Sequence, residues 1–385
     1  MQLHKIPSSK KGKNIQADRS YSSVLISVKN ADNGDQKPFQ CDLHFNLWKC
    51  RRDNYMFDCG VMLYDINYEG QVHETHTFKS IVLYLPYKCE KSEITDLGKL
   101  LNDNSESVTI VFNEFYKQSS GPDKSSIKSY EKKGGDLESF YLYALGENDI
   151  KPLNIDGCKG SFFELNISIP EELKAEKFNL YIRFRISITS EEGIAFLKHD
   201  EHIANNVLQA AFSRMELYDC RFNDIRDTDE KIYQQLTDKE RLDCSLVKMK
   251  KVHFFFMTDA KDHISNGNMA RMDTRMLEID KWKKYIGVEV GHAYVAYHWK
   301  KSAESDPKKE NLSSFEVFFR DTCDNANKIL IFSYITLALA LGMSGSLLST
   351  IDFSKTINCT GIFANFVIYI LSFLSYCFNK CKLLK

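Results

Sequence analysis

Residues 329–348 and 361–378 form two stretches, twenty and eighteen residues long, without a single charged side chain. At a helical rise of ~1.5 Å per residue they would span about 30 and 27 Å, close to the hydrocarbon thickness of a bilayer. A pair of buried core helices is the competing explanation, yet apolar runs of that kind extend over only about 10–14 residues. The sequence therefore predicts a folded region carried on a C-terminal transmembrane α-helical hairpin, with spans at 329–348 and 361–378.

Charges around the hairpin set its expected orientation. The linker 349–360 holds one acid, Asp352, and one base, Lys355, whereas Arg320 and Lys328 precede the first span and Lys380, Lys382 and Lys385 follow the second. Lysine and arginine accumulate on the cytoplasmic side of a membrane. Both ends of the hairpin are thus expected in the cytoplasm, with only the short loop across the bilayer. Eleven cysteines, an odd number without framework spacing, suit a reducing compartment. No apolar segment follows Met1, so no secretory signal is expected.

A formal net charge of −1 argues against a general polyanion binder. Locally the balance differs, with eleven bases against six acids over residues 246–301. Such a patch suits lipid headgroups, a nucleotide or a strand of nucleic acid. It is equally the composition of a solvated strand face.

Residues 1–20 are basic and polar and read as a flexible N-terminus. Beyond them, Phe39, Cys41, Leu43, Phe45 and Leu47 alternate with polar residues, and so do Phe163 to Ile169 and Phe178 to Ile188. A strict period of two means one face on a core and one face in water, as antiparallel sheets allow. Further strands are expected at 24–28, 57–65, 77–85, 108–112, 140–144, 252–257, 276–279, 293–299 and 315–319, with long polar loops at 88–107 and 117–133. Helical spacing of Ile203, Val207, Leu208, Ala211 and Met215 predicts an amphipathic helix over 201–215. A second helix is expected over 229–238, capped by Asp227 or Thr228. The fold class is therefore mainly β: an antiparallel β-sandwich-like region with a few helices, followed by the hairpin. Residues 21–190 form its first part and 191–322 a second β-rich part, as two domains or as one extended sandwich pair.

Chemistry is sparse. The pairs His73/His76 and His199/His202 lie three apart, the second at an expected helix start where such residues share a face. Neither has zinc-protease spacing, and no C-x-x-C, P-loop or nucleophile elbow occurs. Cys50 with His44 would need a nucleophile–base geometry, and most lone strand cysteines are core residues. Arg214, Arg221 and Arg226 either knit a charge network or face an anion. Trp282 among Lys281, Lys283 and Lys284 suits stacking on a nucleotide or anchoring at a membrane interface. No catalytic residue, metal site or cofactor is expected, and the chain does not read as an enzyme. Within the spans, Ala338, Gly342 and Ser346 form a small-residue stripe that lets helices approach closely, and Asn365 places an amide inside the bilayer.

This plan, a β-rich region followed by the hairpin at 329–378, resembles the two-transmembrane effectors of bacterial anti-phage systems, of the retron type or related abortive-infection systems. The resemblance lies in the organisation of the chain. It implies a cytosolic region that senses a partner or ligand, and a hairpin that oligomerises to disrupt the inner membrane. The implied partners are membrane lipid, further copies of the chain, and a cognate defence partner such as a retron reverse transcriptase–RNA complex or a nucleotide signal. A membrane-tethered adaptor without pore activity is the alternative.

Overall fold

The alternating segments become strands. The computed structural model describes residues 23–350 apart from 31–38, 52–53, 67–77, 113, 120–126, 133–138, 171–172, 174–177, 202–212, 267–272, 288–292, 306–309 and 325–327. Its strands are β1 (Ser23–Asn30), β2 (Gln40–Arg51), β3 (Asn54–Ile66), β4 (Phe78–Leu85), β5 (Ile94–Asp96), β6 (Tyr116–Gln118), β7 (Ile127–Lys132), β8 (Ser139–Tyr143), β9 (Ile150–Leu153), β10 (Ser161–Asn166), β11 (Phe178–Ile188), β12 (Lys198–Glu201), β13 (Ser213–Phe222), β14 (Cys244–Leu246), β15 (Lys248–Asp259), β16 (His263–Asn266), β17 (Asp273–Met276), β18 (Tyr294–Ser302) and β19 (Phe315–Asp324). Its helices are α1 (Gly98–Asp103), α2 (Ser105–Phe112), α3 (Glu191–Leu197), α4 (Glu230–Thr237), α5 (Ile279–Ile286) and α6 (Lys328–Thr350). The chain divides into two compact units, Met1–His199 with Leu217–Arg320, and Asp200–Glu216 with Asp321–Lys385.

Two sheets form the first unit. The smaller runs β16-β19-β13-β1-β4-β10-β9, with β12 on β13 and β14 on β1; the larger runs β17-β18-β15-β2-β3-β11-β8-β7-β6, with β5 on β11. Strands from both halves of the sequence share each sheet. Most pairs are antiparallel as expected, but β1 with β13, β2 with β15 and β8 with β11 are parallel. Local alternation cannot distinguish these, because a strand's own pattern does not record its neighbour's direction.

The main core lies between the sheets. Phe222 of the small sheet stacks on Phe45 of the large one at 3.8 Å, and Tyr218 meets Phe256 at 4.9 Å. On the outer face of the small sheet, α4 buries Ile232 and Leu236 against Leu25, Val82 and Tyr84. Each such burial contributes about 1.5–3 kcal/mol. On the outer face of the large sheet, α1, α2 and α5 cover Trp48, Met56, Leu142 and Tyr181. The layers are therefore helix, sheet, sheet, helix. The faces of β2 and β11 that alternation assigns to water are instead roofed, because helices from distant sequence close over them.

Local expectations divide in an instructive way. The helix over 229–238 is α4, with Asp229 rather than Asp227 or Thr228 as its cap, accepting from the Lys231 N–H. Residues 108–112 are not a strand but the end of α2, started by Asn104 accepting from the Glu106 N–H. Short apolar runs do not distinguish the two states. The loop expected at 88–107 holds β5, α1 and the first three residues of α2, and that at 117–133 holds most of the β6–β7 pair. Helix 201–215 is also overturned at its ends, where Glu201 closes β12 and Met215 lies in β13; 202–212 are outside the described residues.

Helix α6, 23 residues long, covers the first expected span and has Lys328 as its one charged residue. Its side chains are described at 332, 334–343 and 345, and among the described residues no helix is long and apolar enough to cross a membrane. The second expected span, 361–378 with Asn365, and the tail lysines lie outside the described residues.

Candidate functional site

Roofing the large sheet leaves a cavity of 460 Å³ between its outer face and the covering segments. Strand register builds the floor in rows. One row runs Lys300, His253, His44, Gly60, Arg183 across β18, β15, β2, β3 and β11; the next runs His298, Phe255, Asn46, Asp58, Arg185. All these side chains share a face because each strand contributes alternate residues to it.

At the β11 side the floor is a closed ionic network. Asp58 accepts from Arg185 Nε (2.6 Å) and Nη2 (3.1 Å), from Trp48 Nε1 (3.0 Å) and from the Tyr285 hydroxyl (2.8 Å). Burial pushes the Asp58 carboxyl up, but Arg185, Arg183 and these hydrogen bonds outweigh it and hold it below its usual range. Arg185 also donates to the Ile286 carbonyl at 2.7 Å, placing a cation on the last carbonyls of α5. Arg183 donates to the hydroxyls of Tyr285 (2.6 Å) and Tyr181 (2.7 Å), and Nη2 meets the Asn46 amide oxygen at 2.6 Å once that amide is oriented by its neighbours. Gly60 makes this possible: a Cβ there would stand 2.1 Å from the Tyr181 hydroxyl.

The network passes to the histidines through Tyr181, whose hydroxyl lies 3.3 Å from His44 Nδ1. His44 and His253 rings meet edge to face at 5.3 Å, and His253 Nδ1 lies 3.1 Å from His298 Nε2. One of that last pair donates and the other accepts, so at least the acceptor is neutral. Burial, reinforced by His298, Lys300 and Lys251, pushes His253 down to about 3. His44 falls well below its ordinary value through burial and the charges of His253 and Arg183, and His298 is lowered by burial despite Asp273 opposite it. The imidazoles therefore serve as donors and acceptors at neutral pH.

Three buried polar atoms of lining residues have no hydrogen-bond partner among the described residues: the Asp42 Oδ1 acceptor, the Trp282 Nε1 donor and Glu114 Oε2, the last ion-paired with Lys132. An unpartnered buried group costs about 1–3 kcal/mol, which a bound molecule can recover.

Sequence-selected residues distribute unevenly. Trp282 lines the cavity, but Lys281, Lys283 and Lys284 point away from it as exposed residues of α5. Arg221 pairs with Asp219 and Asp227, Arg226 with Asp224, and neither lines the cavity. Arg214 lies 3.4 Å from Glu216. His199 sits in β12 rather than at a helix start, while His73, His76 and His202 are outside the described residues. Cys50 and His44 are six residues apart along β2, about 20 Å at strand rise, too far to act together. In the second unit, Glu216, Asp321 and Cys323 bring potential metal-ligand atoms within 4.8 Å of one another, the Cys323 thiol lying 3.7 Å from Glu216 and 3.4 Å from Asp321, either of which can accept its single proton. Ala338 and Gly342 are exposed on α6, and Ser346 follows one turn later in the same helix.

Apart from His44, weighed only as a partner for Cys50, the network and histidine residues escaped sequence reasoning. Their signal was present as arginine repeated at alternate positions of β11, on the same face as Tyr181. No family model matches this sequence, and no curated protein matches it.

Proposed function

We propose that this chain is a membrane-anchored effector of a bacterial anti-phage defence system. Its β-rich region senses a partner or ligand, and its C-terminal hairpin at 329–348 and 361–378 oligomerises to disrupt the inner membrane. The observation that carries the reading is α6, where Phe332, Ile335, Leu339 and Met343 are each more than half exposed. A helix that turns large apolar side chains outward suits lipid or another copy of itself better than water. The lysine bias around the hairpin adds the orientation, with both ends cytoplasmic. The cavity supports the sensing role by offering buried polar groups to a cognate signal, whether that is a nucleotide or is relayed by a reverse transcriptase–RNA complex.

Membrane potential and growth, followed after induced expression with and without the genomic neighbours, test this. Collapse of the potential under triggering conditions is the expected result. A chain that fractionates with membranes yet never alters the potential would instead be a tethered adaptor. A chain found in the soluble fraction would remove both readings.

A further inference from the structure

We propose that the cavity over the large sheet binds a mononucleotide, its base held at the aromatic end and its phosphate over Lys251 and Lys300. This rests on the reading of the cavity as the sensing site and names the chemistry it senses.

The cavity has two unlike ends. At one, Phe112 packs against Phe140 at 5.0 Å and His44 at 5.6 Å, and Tyr116 meets Phe140 at 5.2 Å. Ring faces of this kind accept any nucleobase, since every base offers a π-face. At the other, Lys300 lies opposite His253, and Lys251 is two residues along β15 on the same face. Neither lysine has an ion pair within 4 Å among the described residues, although the Lys251 charge acts on the Asp42 carboxylate opposite it. The remaining charges facing the cavity are mostly committed: Arg183 to the tyrosines and Asp58, Arg275 to Glu278 and Glu114 to Lys132. Asp42, which accepts from Tyr64, and Asp273 beside His298 complete the set.

Two further lining groups separate a nucleotide from a simple anion or an apolar ligand: Asp42, opposite Lys251 in the strand register, and Trp282, packed on Trp48. Asp42 Oδ1 needs a donor and Trp282 Nε1 needs an acceptor, and both are buried. A fully ionised anion such as sulfate supplies only acceptors, hydrogen phosphate adds a hydroxyl but no face to stack, and an acyl chain supplies neither. A nucleotide carries both kinds of group on base and sugar, and the three neutral imidazoles can meet either. The 460 Å³ volume falls within the range of about 300–1,000 Å³ typical of small-molecule sites. A phosphate beside His253 and His298 also favours their protonated forms, so binding should draw protons from solution.

The test is calorimetry on the full chain in detergent, with AMP, GMP, CMP and UMP as probes and adenosine and inorganic phosphate as controls. At least one mononucleotide should bind saturably, more tightly than either control. Its heat should vary with buffer ionisation enthalpy in the sense of proton uptake. Lys300→Gln, at an exposed position that tolerates the change, should weaken it about tenfold while leaving adenosine unaffected. Failure of all four nucleotides at millimolar concentration overturns the proposal, even if expression still collapses the membrane potential. Binding indifferent to both Lys300→Gln and Phe112→Leu overturns it too, because the site would lie elsewhere. Binding that follows the expected pattern in a chain without membrane activity upholds the ligand and sinks the effector reading alone.

Discussion

The Asp58 carboxylate and the Arg185 guanidinium meet as a bidentate pair on adjacent strands, at 2.6 and 3.1 Å, beneath α5. Removing one partner of a buried pair leaves the other charge uncompensated, at about 3–5 kcal/mol. Asp58→Asn should therefore lower stability by that order, seen as an earlier thermal transition in tryptophan fluorescence. Trp48 and Trp282, both close to the network, report on it directly. Because the folded carboxyl lies below its ordinary value, the pair's contribution is complete above the usual carboxylate range. It is lost as pH falls through the lowered value. A variant as stable as the parent would show that the network is incidental.

Histidines respond to acid at higher pH than this pair. His44, His253 and His298 are held below their ordinary values in the fold but titrate near ~6.5 when unfolded. As pH falls below ~6.5 the unfolded chain takes up protons that the folded chain refuses, so stability declines. For His253, pushed down to about 3, the loss between about pH 7 and 5 approaches 2 kcal/mol. Denaturant midpoints should drop over this interval before carboxylates titrate, and His253→Gln should flatten the slope. A slope unchanged by the substitution would mean that His253 is exposed to solvent.

Gly60 carries a steric rather than a conformational requirement. A Cβ there would stand 2.1 Å from the Tyr181 hydroxyl and 3.0 Å from an Arg183 nitrogen, so both side chains must shift. Gly60→Ala should cost about 1–3 kcal/mol, the usual range for overpacking. It should also lift Tyr181 away from His44 and so alter the histidine titration measured by NMR. Unchanged histidine shifts would dissociate Tyr181 from the relay.

What could be read from the sequence follows from what alternation records. The inward sets of β2, β11 and β10 were legible because Phe45, Ile182 and Leu165 recur with strict period two. The outward set was legible as a face but not as a buried one. Burial of His44 and Arg183 depends on α1, α2 and α5, which come from distant sequence. The cavity's histidines lie on three strands, and only the parallel pairing of β2 with β15 sets His44 opposite His253. No spacing rule within one segment could bring them together. Trp282 was selected for its lysine neighbours, yet it matters through its burial, since those lysines sit on the opposite side of α5.

Orientation offers a separate check. On the proposed topology, Lys380, Lys382 and Lys385 against the nearly uncharged loop 349–360 are expected to keep the C-terminus inside. Alkaline phosphatase fused after Lys385 should be inactive, and the same reporter inserted beside Asp352 should be active. The opposite pattern would put the β-rich region outside the cytoplasm.

The hairpin prediction separates an active membrane element from a passive tether. Gly342 sits on the exposed stripe with Ala338, and a Cβ added there would meet nothing within 4 Å among the described residues. Gly342→Leu should block close approach of a neighbouring helix while raising the hydrophobicity of the span. Asn365→Leu removes an amide that is tolerated in lipid chiefly when another helix satisfies it. Both variants should still fractionate with membranes, because insertion improves when a polar or small residue becomes leucine. Both should lose depolarisation and growth arrest if packing between hairpins makes the lesion. If both keep full toxicity while alanine at the exposed Lys281, Lys283 and Lys284 abolishes it, the spans only anchor the chain. The activity would then belong to the basic surface of α5.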